Sequence, residues 1–265
     1  MRKQKQSRNV CSFCGAGKLS REHVWPEWAS DILPSSRGHT QFKISQGPNT
    51  VAKQEWATDR QGSITNTRLK VVCRDCNSGW MNRQEERARP HLTALIKGEN
   101  VFLDRKSREA ISCWIAMKLM VLDRSPASGR VFLDDELRAF RETLTPPETL
   151  QIWLLHCGDR DWRTAYRAME RSASNTPERP SFHMPNVKLA AWGIGDLFVV
   201  ALYQRQIAVQ LRLREQAAKR IWPHPDAAPF WPPQRRLTAV DAEQVANAIR
   251  LLDAEKNVHW AENLE

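Results

Sequence analysis

Two Cys-x-x-Cys pairs, Cys11 with Cys14 and Cys73 with Cys76, stand 58 residues apart in the chain. Pairs of this kind bind soft divalent metals, and two of them supply a complete tetrahedral shell. A chain that brings them together must close a long loop, which constrains its topology more than any apolar pattern does. The expectation is a structural zinc on Cys11, Cys14, Cys73 and Cys76; redox-active or merely buried pairs are the other reading. Gly15, directly after the first pair, suits a turn that needs positive φ. Cys113 in ISCWIAM and Cys157 in WLLHC lie in apolar runs and read as reduced core residues.

Inside the loop that such a metal would close lies the segment LSREHVWP, with Glu22 beside His23, and directly after the last cysteine comes Asn77. The zinc would therefore gather three polar side chains remote in sequence into one candidate site. Each has a plainer reading: a surface histidine, a solvated carboxylate, and a helix N-cap asparagine. Neighbours on a regular strand point to opposite faces, so Glu22 and His23 can converge only where the strand ends or bulges.

The chain reads as α+β with two units, 1–98 and 99–265. In the first, KLSREHVW is an extended run ended by Pro26, PEWASDIL a brief helix, and QFKIS, VAKQEWAT and SITNTRLKVVC are strands. From Asn77 to Gly98 the pattern is helical, with a bend expected at Pro90. In the second, Ile111, Trp114, Ile115, Leu119 and Leu122 recur at helical spacing. A further helix is expected over 134–143, strands in TLQIWLLHC, DWRTAYRAME, KLAAWGI and DLFVVALYQ, and a closing helix capped by Thr238 and Asp241. The Pro-rich IWPHPDAAPFWPP reads as ordered by its own aromatics.

The order Cys-x-x-Cys, Glu-His-Val-x-Pro, strand, Cys-x-x-Cys-Asn, helix resembles the HNH endonucleases, over residues 11 to about 85. A looser likeness to two-domain bacterial proteins of that type extends further. The resemblance implies a treble-clef-like ββα-metal core in residues 1–98, followed by an α+β domain of unknown role. It implies His23 as general base, and Glu22 and Asn77 as ligands of a catalytic Mg²⁺ or Mn²⁺ ion. Hydrolysis of a phosphodiester, with DNA as the expected substrate, follows from the same likeness. The chain departs from the family in having Glu at the acidic position and Trp80 and Arg83 where a lysine is usual. The nearest counterpart of the family's middle asparagine is Asn66.

Charge agrees with a nucleic-acid partner. The net formal charge is +10, and residues 1–98 hold 17 Lys and Arg against 8 Asp and Glu, which puts +9 of it in the first third. Arg68, Lys70, Arg74 and Arg83, with Arg87 and Arg89 beyond them, are candidate phosphate contacts, although most arginines on a helix simply face water. Trp25, Trp28 and Trp80 could stack on bases, but core packing is the commoner use. The other histidines show no ligand spacing. No run is long and apolar enough to cross a bilayer and no leader is evident, so a cytoplasmic location is expected. The rival to the nuclease is a catalytically silent zinc module that binds nucleic acid or protein, and a protein partner or a second copy is expected to use the second unit.

Overall fold

The computed structural model describes residues 10–33, 39–46, 55–61, 68–125, 128, 130–157, 165–174, 185–211, 213–238, 241, 245, 252–254 and 259–260. After the first cysteine pair, β1 (Leu19–His23) runs into α1 (Ala29–Ile32), and the hairpin of β2 (His39–Gln46) and β3 (Glu55–Gln61) follows. Strand β4 (Arg68–Cys73) pairs antiparallel with β1 and leads into the short helix α2 (Arg74–Cys76). A π-helical stretch, Asn77–Met81, joins it to α3 (Asn82–Ile96). Then come β5 (Val101–Phe102), α4 (Arg105–Asp123), α5 (Asp134–Thr143), β6 (Leu150–Cys157), β7 (Ala165–Arg171), β8 (Ala173–Ser174), β9 (Val187–Ile194) and β10 (Leu197–Gln204). The short strands β11 (Val209–Leu211), β12 (Ala218–Trp222), β13 (Phe230–Trp231), β14 (Arg236–Leu237), β15 (Leu252–Ala254) and β16 (His259–Trp260) close the chain.

The main sheet has the order β12-β6-β10-β9-β7-β2-β3, with β14 beside β6. Its pairs are antiparallel except β2 with β7 and β14 with β6. Strands β2 and β3 come from between the two cysteine pairs, yet they extend the sheet built from the C-terminal half.

Strands β6, β9 and β10 are buried on both faces, as their near-continuous apolar sequences require. Alternate residues serve two cores. Ile152, Leu154, Trp192, Val199 and Ala201 pack with the helices and the cysteine-bearing segment. Trp153, Leu155, Leu189, Phe198 and Val200 pack in a second cluster on the other face.

Helix α4 packs on α3 and touches β4 and β12. Asp104 caps it by accepting from the Ser107 N–H at 2.8 Å. Apolar on nearly every side, α4 is buried along almost its whole length. Three charged residues lie in that buried stretch: Arg108, which donates to the Asp104 and Pro225 carbonyls, and Lys118 and Asp123, which are paired with opposite charges. Lys118 is held beside β1. Five residues on, at the C-terminal end of the helix, Asp123 accepts from the Val131 N–H at 3.0 Å and from Lys188 Nζ of β9 at 2.8 Å. The same ammonium reaches Glu170 of β7 at 2.8 Å. Burial alone would lower the pKa of Lys188; the two carboxylates reverse that and raise it. Breaking such a buried set by removing one partner typically costs about 3–5 kcal/mol.

Most expected elements are present, with two differences of position. The helix after Asn77 departs from helical geometry at Gly79 (φ −94°, ψ −109°), not at Pro90. Pro90 and Glu86 both lie exposed on α3, so water can serve the carbonyl that Pro90 leaves without a donor. The Pro-rich segment is ordered largely by partners outside itself: Phe230 meets Phe102, Trp231 meets His156, and Trp222 Nε1 donates to the Pro147 carbonyl at 2.9 Å. Thr238 and Asp241 exchange the reciprocal bonds of a capping box, while most of the helix they were expected to open, like Asn66, lies outside the described residues. No helix among the described residues is long and apolar enough to cross a membrane.

The C-terminus of α3 crosses closely over the two-residue turn between β9 and β10. Asp196 N–H donates to the Ile96 carbonyl at 2.9 Å, and Gly195 has φ +56°. A Cβ at Gly195 would lie 2.5 Å from that same carbonyl oxygen. Gly195→Ala is therefore expected to cost about 2 kcal/mol or more, from left-handed strain plus displacement of the crossing. Urea unfolding of the zinc-loaded protein measures it.

Candidate functional site

Both cysteine pairs are shaped by the backbone around them. Gly15 takes φ +74°, and its N–H donates to the Cys11 carbonyl at 2.8 Å while Cys11 N–H donates to Ala16 at 2.7 Å, closing a tight knuckle. Ser12 fixes that knuckle to β4 through its N–H and its hydroxyl, both donating to the Val71 carbonyl. In the second pair, Cys76 N–H donates to Cys73 Sγ at 3.4 Å. Phe13, fully buried, anchors the first knuckle against Trp80 at 5.1 Å between ring centres.

The four sulfurs all lie within 4.8 Å of one another, and Cys14 Sγ is 3.6 Å from Cys73 Sγ. A tetrahedral zinc with Zn–S bonds of about 2.3 Å separates its sulfurs by about 3.8 Å. The cluster can therefore hold a metal such as zinc with little rearrangement. Its electrostatics agree. Burial raises the Cys76 thiol, and Cys11, Cys14 and Cys73 add to that; burial also raises Cys14. At Cys11 burial is outweighed by backbone N–H groups of Cys73, Phe13 and Cys14, so that thiol is lowered. Crowded thiols resist ionising together until a cation joins them.

The β1–β4 register decides what His23 faces. Ser20 sits opposite Val72 and Glu22 opposite Leu69, so two residues of β4, Lys70 and Val71, face Arg21 alone. This is a β-bulge at Arg21, ahead of Glu22, so Glu22 and His23 keep regular register and point to opposite faces instead of converging. His23 is opposite Arg68. Cross-strand partners share a face, as do residues two apart. Arg21, His23, Arg68 and Lys70 thus line one side of the hairpin, and the three cations are exposed. Glu22 and Leu69 take the inner side.

Glu22 is there met by a residue that the sequence reading missed. Lys118 Nζ lies 2.5 Å from Glu22 Oε1, 3.0 Å from Glu85 Oε2 and 2.9 Å from the His23 carbonyl. The Lys118 and Glu22 side chains are 3% and 6% exposed. Burial would lower the lysine's pKa, but the two carboxylates overcome it and raise it. Its signal in the sequence was a lone cation inside the apolar run WIAMKLM. His23 itself is half-buried, and its Nε2 is enclosed without a hydrogen-bond partner.

Asn77 reaches the same strand from the helix side. Its Nδ2 donates to Ser20 Oγ at 3.1 Å and to the Arg21 carbonyl at 3.2 Å, one peptide from Glu22. The cysteine cluster thus does bring the start of the helix to the strand that bears the Glu-His pair. As a ligand set for a shared divalent ion, Glu22 and Asn77 do not fit in this arrangement. The carboxylate is paired with an ammonium in a buried setting, whereas Mg²⁺ keeps several waters.

Of the expected phosphate contacts, Arg68, Lys70, Arg74 and Arg83 are exposed. Arg87 pairs with Glu109 at 3.5 Å, and Arg89 lies 3.8 Å from Glu86 and 5.4 Å over the Trp28 ring. Trp25, Trp28 and Trp80 are buried in the core, which removes them as stacking surfaces for bases. Cys113 and Cys157 are free and buried, and burial pushes the Cys113 thiol up to about 12. His156 pairs with Asp196 at 3.2 Å, away from β1.

No protein-family model, no curated protein and no solved structure matches the chain. The cysteine cluster makes its own test. One zinc per chain is expected by metal analysis, and Cys76→Ser or chelation should abolish cooperative unfolding of the β1–β4 region, since such sites contribute on the order of 10 kcal/mol.

Proposed function

We propose that this chain is a zinc-stapled nuclease of the HNH type, hydrolysing phosphodiester bonds of nucleic acid, with DNA as the substrate. The observation that carries the reading is the end of β1. There His23 shares an exposed face with Arg21, Arg68 and Lys70, and Asn77 holds the strand to the helix that follows the cysteine cluster. The antiparallel pairing of β1 with β4 and the helix that follows the four-cysteine cluster support that reading.

In this reading the cations receive the phosphate, and His23 accepts a proton from water as the water oxygen attacks phosphorus. Since Nε2 is enclosed, the accepting nitrogen is Nδ1. The bond to the 3′ oxygen breaks, that oxygen takes a proton from solvent, and the products carry a 3′-hydroxyl and a 5′-phosphate. Arg21, Arg68 and Lys70 offset the charge that develops on the phosphoryl oxygens.

One observation favours the rival, a silent zinc module for binding nucleic acid: Glu22 is already neutralised by Lys118, which a pure binder would tolerate. Nicking of supercoiled plasmid in Mg²⁺ or Mn²⁺ separates the two. Wild type is expected to cut, and His23→Ala, at matched zinc content, to cut about 10²–10⁴-fold more slowly. Equal rates would remove His23 as base. Absence of cutting by wild type, with binding that weakens in salt by about 0.9 log units per phosphate contact for each tenfold rise in salt, would establish the binder.

A further inference from the structure

Lys118 holds two elements together with the three protons of one ammonium group. Its partners are Glu22 Oε1 and the His23 carbonyl on β1 and Glu85 Oε2 on α3, so the donor capacity is used in full. A lysine is seldom buried this deeply unless it is paired, and here the pairing lies directly beneath the candidate base. His23 is the last residue of β1. Its carbonyl faces inward where the strand ladder ends, and Lys118 satisfies it.

We infer that Lys118 is a positioning residue for His23, and that Glu22 acts through it instead of ligating a divalent ion. The catalytic meaning rests on the nuclease reading; the geometric part does not. The bond to the His23 carbonyl fixes the peptide plane from which the imidazole projects. The two carboxylates fix the ammonium. Glu85 carries the constraint to α3, so that the helix beginning at the cysteine cluster and the strand bearing His23 share one anchor. Displacing a catalytic group by about 1 Å can cost on the order of 10²-fold in rate.

The test uses full-length, zinc-loaded protein. Lys118→Met leaves Glu22 and Glu85 facing each other and is expected to lose stability. The double variant Lys118→Met/Glu85→Gln keeps both the net charge of the cluster and Glu22 itself. It is expected to retain zinc and DNA affinity, with kcat down about tenfold or more and KM unchanged. The Hα–Hβ couplings of His23, measured by NMR, should shift from a single rotamer to an average. Mn²⁺ affinity, read by electron paramagnetic resonance, should be the same in Glu22→Gln as in wild type. Unchanged kcat and couplings in the double variant would reduce Lys118 to a structural role. Loss of Mn²⁺ binding in Glu22→Gln would make Glu22 a ligand and overturn the inference. If wild type does not cut DNA, the nuclease reading fails, while the couplings and Mn²⁺ binding still decide the geometric claim.

Discussion

Four sulfurs within 4.8 Å of one another set the frame on which everything near His23 is built. Closing the 58-residue loop between the knuckles costs about 3–4 kcal/mol in chain entropy by the logarithmic law, apart from a constant. A structural zinc returns on the order of 10 kcal/mol or more, so the metal term wins. Once that loop is closed, β1 has β4 as its partner, and Asn77, next to the last ligand, falls within reach of Ser20 and Arg21. The position of the candidate site is thus set by the convergence of the two cysteine pairs.

The second organising element is α4. It carries a buried cation toward β1 and a buried anion toward the main sheet, and each bonds to backbone as well as to an opposite charge. Buried ion pairs are often no more stabilising than well-packed apolar residues of the same volume. Their backbone bonds supply something an apolar residue cannot: a directed contact to one carbonyl or one N–H. Lys118 orients the end of β1 in this way, and Asp123 does the same for the segment at Val131 and Phe132. The helix is apolar enough to be driven inside, and Lys118 and Asp123 place charge where it meets β1 and the main sheet.

Much of this was legible in the residues. The two Cys-x-x-Cys pairs announced a metal shell, the helical spacing of Ile111, Trp114, Ile115, Leu119 and Leu122 announced α4, and apolar runs marked β6, β9 and β10. Less legible were features that depend on partners distant in sequence. Parallel pairing of β2 with β7 leaves no local pattern, so the hairpin inside the cysteine loop gave no sign that it belongs to the main sheet. The bulge opposite Arg21 depends on cross-strand register. Lys118 was visible as an isolated charge, but its partners come from β1 and α3, and only tertiary structure brings them together.

Helix α3 is anchored at both ends, by the cysteine cluster before it and by the crossing over Gly195 and Asp196 after it. Its 15 residues make a strut of about 22 Å. Adding or deleting one residue would turn one end against the other by about 100°. Either Leu92, Leu95 and Ile96 would swing away from the core or Glu85 would swing away from Lys118. Surface connections elsewhere could therefore change length at small entropic cost, whereas the number of residues between the cysteine cluster and that crossing could not.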